Sequence, residues 1–199
     1  MSNIGRLRRG KTQKKSYTNH RKAKPLLLKE TGGRCSYSQQ HMDNAGGYKS
    51  MDVDHFRPRG KGRHLYTNLL VATRHCNGAK SDLWPSASQK AKEIHLINPY
   101  TEDDYGKHLF EDPVTHEIVA ITPAGFYHIF VLDLNAPHLV KERVERARIS
   151  EKLQGGAVFN GALPNVLACL QELKRRMEMC IPMILPPPQG STIVTGERA

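Results

Sequence analysis

The chain of 199 residues carries 30 Lys and Arg against 19 Asp and Glu, a formal charge of +11, with a pI near 9.6. That length suits one main domain with a real core plus extensions, and the basic balance favours a polyanionic partner such as nucleic acid. No run approaches the ~20 apolar residues of a bilayer span and no apolar stretch follows the N-terminal charges, so no membrane association and a cytoplasmic location are expected.

Residues 1–24 hold Arg6, Arg8, Arg9, Lys11, Lys14, Lys15, Arg21, Lys22 and Lys24 with no acid. This is a basic N-terminal arm, either a phosphate-contacting segment or a solvated leader. PLLLKETGGRCSYSQQHM then predicts a short helix ending at Gly32 and Gly33, followed by a turn or knuckle around Cys35. SMDVDH at 50–55 and LLVAT at 69–73 read as short strands separated by the loop FRPRGKGRHLYTN, and a helix follows from His75 to about Asp82, weakened by Asn77 and Gly78. SASQKAKEIHL reads as a helix with Ser86 as its N-cap, and HLFED and EIVAIT flank PVTH as a hairpin. TPAGFYHIFVLDL stands between helix and strand, with helix favoured. PHLVKERVERARISEKLQ predicts an amphipathic helix with Leu139, Val140, Val144, Ala147 and Leu153 near one face. A further helix is expected from Leu163 to Cys180, and the Pro-, Gly- and Ser-rich 182–199 as a flexible tail. The expected organisation is therefore an arm (1–24), a core (25–100), a mainly helical extension (101–181) and a tail, in the α+β class.

The chemistry concentrates in DVDHFRPRG, YTNLL and TRHCNGAKSD. A strand hairpin packed on one helix brings the strand end and the helix start together in an oxygen-rich notch. Asp54 and Asn77 would give oxygen ligands to one hard cation, Mg²⁺ or Mn²⁺. His55, with an unperturbed pKa near 6.5, suits a general base for water, and the Asn68 side-chain carbonyl would hold its imidazole in the right tautomer. Hydrolysis of a phosphodiester follows from that set. Arg57, Arg59, Lys61, Arg63 and His64 crowd the loop beside His55 and, with Lys80, are the candidate phosphate contacts; the alternative is a solvated loop and a covered helix end.

In Asp54-His55, Pro58, Asn68-Leu69, Cys76-Asn77 and Lys80 the chain resembles the HNH endonucleases of the His-Me finger class. The resemblance implies a ββα-metal core with additional C-terminal helices, Asp54 and Asn77 as metal ligands, His55 as the base and Asn68 as its orienting partner. HFRPRG, NLLVATRHCNGAKSDLWP, LINPYTEDD and FVLDLNAPHLVKERVERARI are similar to PtuB-type HNH proteins of Septu and of retron-associated antiphage systems. That branch implies a PtuA-like ATPase partner and a role in phage defence, with DNA a better substrate than RNA. The rival expectation is a silent nucleic-acid-binding or ATPase-docking scaffold with a degenerate core.

One departure from the family concerns structural zinc. Many HNH proteins bind it through two CxxC pairs, where this chain reads CSYS and TRHC, keeping Cys35 and Cys76 but placing Ser38 and Thr73 at the other two positions. Two thiolates are not four ligands, so zinc is not expected there unless His41 and His75 substitute; the two cysteines are expected to pack as small hydrophobes. Cys169 and Cys180 read as core or surface thiols, Trp84 as a packing anchor, and Glu102, Asp103 and Asp104 as a turn. His20, His95, His108, His116, His128 and His138 show no ligand-like spacing and are expected to be structural or surface residues.

Overall fold

The computed structural model describes residues 16–58, 60, 64–102 and 105–153. The predicted helix from Leu163 to Cys180, the tail and most of the basic arm lie outside the described residues, as do Arg59, Lys61 and Arg63.

A 3₁₀ turn, His20–Ala23, leads into α1 (Lys24–Glu30), which has Pro25 in its first turn and buries Leu27 and Leu28. The helix closes on Gly33, whose φ of +76° lets its N–H donate to the Leu28 carbonyl at 2.8 Å. Residues 34–41 form the expected knuckle. The Cys35 N–H donates to the Gln40 carbonyl, and the Ser36 N–H donates to the Val71 carbonyl, tying the knuckle to a strand.

β1 (Met51–His55) and β2 (Leu69–Thr73) pair antiparallel, from Met51 opposite Thr73 to His55 opposite Leu69. All five residues of β2 are buried, so this strand is the centre of the local core. It runs without a break into α2 (Arg74–Lys80), whose N-cap Thr73 accepts from the Cys76 N–H. α3 (Ala87–Ala91) has the expected Ser86 cap, reinforced by Gln89 in a capping box. It is shorter than the sequence suggests: Glu93 takes φ +60° and the Ile94 N–H returns to the Gln89 carbonyl, closing the helix and sending Ile94, Leu96 and Ile97 into the core as extended chain.

A second hairpin, β3 (Leu109–Glu111) and β4 (Ile118–Ala120), is turned by Asp112, whose carboxylate accepts from the Val114 and Thr115 N–H groups. β4 leads into α4 (Pro123–Leu132), with Thr122 as N-cap and Pro123 in the first turn, so the ambiguous segment is a helix. α5 is Pro137–Leu153. Its buried face differs from the expected one: Leu139 and Arg143 are buried while Val144 is 40% exposed. The Arg143 guanidinium earns that place by donating to the His116 carbonyl and to Asn135 Oδ1.

The architecture is α+β, with two two-stranded antiparallel sheets. One hydrophobic cluster runs from Ala23 through Leu27, Leu69 and Ile97 to Leu132 and Leu134, so core residues from both sides of position 100 pack together. No helix among the described residues is long and apolar enough to cross a membrane.

Candidate functional site

The β1–β2–α2 succession positions the predicted residues through buried polar contacts. Asp54 lies on β1 opposite Leu70 and is 5% exposed. Its carboxylate accepts from the Lys80 ammonium at 2.9 Å on one oxygen and from the Tyr37 hydroxyl on the other. Lys80 is wholly buried, and its ammonium also donates to the His55 carbonyl at 2.9 Å. The last turn of α2 is thus bolted to the end of β1 by a charge-assisted network. Burial, followed by the neighbouring Asp54 charge, pushes the Tyr37 hydroxyl well above its ordinary pKa and keeps it a donor.

The network continues into α4. Tyr37 meets the His128 ring edge-on at 5.8 Å, and His128 Nδ1 accepts from the Ile97 N–H. Burial holds His128 neutral, its pKa lowered to about 3.

Asn68 closes the loop behind β1. Its Oδ1 accepts from the Arg57 N–H at 2.9 Å and its Nδ2 donates to the Arg57 carbonyl at 3.0 Å, while the Asn68 carbonyl accepts from the Phe56 N–H. These bonds fix the backbone just beyond His55. Asn77 is half-buried on α2, one residue past buried Cys76 and one turn before Lys80. Helical geometry therefore sets its side chain beside the Lys80 row.

Two expectations meet this geometry directly. Lys80, a candidate phosphate contact, has its ammonium enclosed between Asp54 and the His55 carbonyl, where no polymer phosphate reaches it. The Asp54 and Asn77 pair was expected to hold Mg²⁺ or Mn²⁺, which asks for several oxygen ligands. Both Asp54 oxygens already accept from protein donors, and Lys80 supplies the positive charge at that point, so the donor set as arranged does not fit a divalent ion.

The donors gathered on the other side of His55 are imidazoles. His20, His55 and His64 each present a ring nitrogen within 4.8 Å of the other two, and all three residues are half-buried. His55 Nε2 lies 3.2 Å from His64 Nδ1, and the His20 ring centroid is 4.6 Å from that of His55. The N-terminal segment makes this cluster: Ser16 bridges to Leu65, the Tyr17 N–H donates to the His64 carbonyl at 3.1 Å, and Tyr17 packs on Tyr66. The end of the basic arm is therefore folded onto the site. Sequence reasoning took His20 for a structural or surface residue and counted His64 with the loop residues facing the nucleic-acid backbone, not as a partner of His55. The two are separated by the whole of α1, the knuckle and β1, and no local spacing signals their meeting.

The knuckle positions also converge. Cys35 and Cys76 are fully buried, and the Thr73 N–H donates to Cys35 Sγ at 3.4 Å. Burial raises the Cys35 pKa, but hydrogen bonds from Cys76, Ser38 and Thr73 outweigh it and bring the thiol down to about 6. Cys76, donating to Cys35 and buried, is pushed well above its ordinary value. Both cysteines pack in the hydrophobic core, as expected, with the Thr73 N–H on Cys35 Sγ as a polar contact there. Ser38 and Thr73 knit the positions that the resemblance associates with metal. His41 faces Asp43 and His75 faces Asp133.

No protein-family model, curated protein or solved structure matches the chain.

Proposed function

We propose that the chain is a nuclease of the HNH type, with β1, β2 and α2 as its ββα core, hydrolysing phosphodiester bonds and preferring DNA to RNA. The observation that carries this reading is the placement of His55. It sits half-buried where β1 ends, its carbonyl held by Lys80, its following loop held by Asn68, and Arg57 exposed two residues on. A base held at both ends of its backbone is preorganised for proton transfer. His55 takes a proton from water as the water oxygen attacks phosphorus, the bond from phosphorus to the leaving sugar oxygen breaks, that oxygen takes a proton from solvent, and cationic side chains of the loop that starts at Arg57 balance the charge gathering on the phosphate. The net charge of +11 supports a polyanionic substrate.

A second reading has its own observation. The Lys80 ammonium in the Asp54 carboxylate and the loss of two knuckle cysteines suit a silent scaffold that binds nucleic acid or docks on an ATPase subunit. The test separates them. Purified full-length chain is incubated with plasmid DNA and with total RNA in Mg²⁺ or Mn²⁺, alone and with a PtuA-like ATPase subunit, beside His55→Ala. Cleavage by the parent that disappears in the variant supports the nuclease and identifies the polymer. Binding without cleavage under every condition hands the assignment to the scaffold.

A further inference from the structure

The geometry points to a transition-metal site of the zinc class formed by His20, His55 and His64. The reasons lie in distance and donor type. Imidazole nitrogens bind Zn²⁺ at ~2.0–2.1 Å, so two ligands on a tetrahedron stand about 3.3 Å apart. His55 Nε2 and His64 Nδ1 are 3.2 Å apart, and the third nitrogen lies within 4.8 Å of both. Three nitrogens this close make a cap that leaves the fourth position of a tetrahedron open.

The donor set selects the metal. Three neutral imidazoles favour Zn²⁺ and its neighbours over Mg²⁺ or Ca²⁺, which take oxygen ligands. Protein contacts hold the scaffold of the cluster. His55 ends a paired strand, the Tyr17 N–H on the His64 carbonyl and the Ser16–Leu65 bridge fix His64, and Asn19 caps the turn that carries His20 by accepting from the Arg21 N–H. Among the described residues the cluster is made of the three imidazoles, which leaves the fourth position of a tetrahedral ion to a water or anion.

The site has a consequence that rests on His55 being the base. An ion on His55 Nε2 uses the lone pair that would accept the proton, so zinc holds the nuclease off and its removal releases it.

The test measures binding first, on the full-length chain. Zn²⁺ is titrated against a chromogenic chelator, and Co²⁺ is added separately to read the visible bands of a tetrahedral site. Parent protein should take up one ion at this site, unaffected by excess Mg²⁺. His20→Ala and His64→Ala should each weaken uptake at least about tenfold, the scale on which disturbed zinc shells lose affinity. The double variant Cys35→Ser, Cys76→Ser should keep it, which excludes the knuckle as the donor. Unchanged circular dichroism in the histidine variants shows that a lost ligand, not a lost fold, is responsible. A parent that takes up no zinc, or histidine variants that bind as the parent does, overturns the site. The cleavage assay repeated with zinc keeps the two ideas apart. Inhibition of the parent but not of His20→Ala supports the switch, and stimulation overturns it. Should nothing cleave while binding follows the histidines, the nuclease reading falls and the metal site stands.

Discussion

The chain builds the same local order twice, and the two copies treat polar groups differently. β1, β2 and α2 form a hairpin that runs into a helix capped by Thr73; β3, β4 and α4 form another, capped by Thr122. Each has an asparagine amide bonded to both backbone groups of one residue, Asn68 on Arg57 and Asn135 on Ile118. Each encloses a buried cation, Lys80 in the first and Arg143 in the second. The first spans 56–68 between its strands and balances Lys80 with a buried carboxylate; the second turns over 112–117 and gives Arg143 neutral acceptors. The difference teaches that the hairpin and helix are scaffold. The proposed chemistry falls in the first unit, where a buried charge pair stands beside a half-buried histidine.

The largest effect expected lies in the second unit and is a pH effect. Folded His128 gains a proton only near pH 3, whereas the unfolded residue gains it near 6.5. Between those values the unfolded state holds the extra proton, so this contribution is complete above about pH 6.5 and is lost as pH falls towards 3. The full span amounts to on the order of 4–5 kcal/mol. His128→Asn keeps an acceptor for the Ile97 N–H without titrating, and urea unfolding at pH 4 and pH 7 should show a smaller pH difference than in the parent. An equal difference would remove His128 from the account.

Breaking the buried cations comes next. Lys80→Met leaves the Asp54 carboxylate buried and unpaired and should cost about 3–5 kcal/mol. Arg143→Met leaves only neutral acceptors and should cost about 1–3 kcal/mol. Urea midpoints compare the two directly, and a double variant with Asp54→Asn should recover part of the Lys80 loss.

The smallest effects sharpen the contrast between the two helices. A Cβ on Gly125 of α4 would stand 2.4 Å from the His108 carbonyl oxygen, so Gly125→Ala should destabilise by about 1–3 kcal/mol. Gly78 of α2 has nothing within 4 Å of that position, and Gly78→Ala should stabilise by about 0.5–1 kcal/mol through helix propensity. Thermal melts of the two variants should move in opposite directions.

Much of this scaffold was legible in the sequence. The β-branched and apolar runs gave β1 and β2, Ser86 announced the start of α3, and paired glycines announced the end of α1. Local patterns carry that information because caps, turns and alternation act within a few residues. The end of α3 was not legible, because it depends on Glu93 accepting a left-handed backbone so that Ile94 and Ile97 reach the core. Lys80 was read as a phosphate contact or a cover for the helix end, and Arg143 drew no reading, because a long cationic chain is ordinarily exposed; only the folded partners, Asp54 in one case and the His116 carbonyl in the other, make their burial tolerable. His20 and His64 meet through a pairing between the N-terminal segment and the loop, a tertiary contact that no spacing rule encodes. Cys35 and Cys76 were correctly placed inside, but the hydrogen bond from the Thr73 N–H to Cys35 Sγ is a tertiary contact that the sequence alone does not show.

The measurement that tests the central claim most directly is the single-turnover rate of strand cleavage by the parent, by His55→Ala and by His116→Ala, the last altering the turn of the second hairpin. The account predicts that His116→Ala cleaves like the parent and that His55→Ala is slower by at least about 100-fold, the usual worth of a general base. Cleavage by His55→Ala at the parent's rate would contradict it.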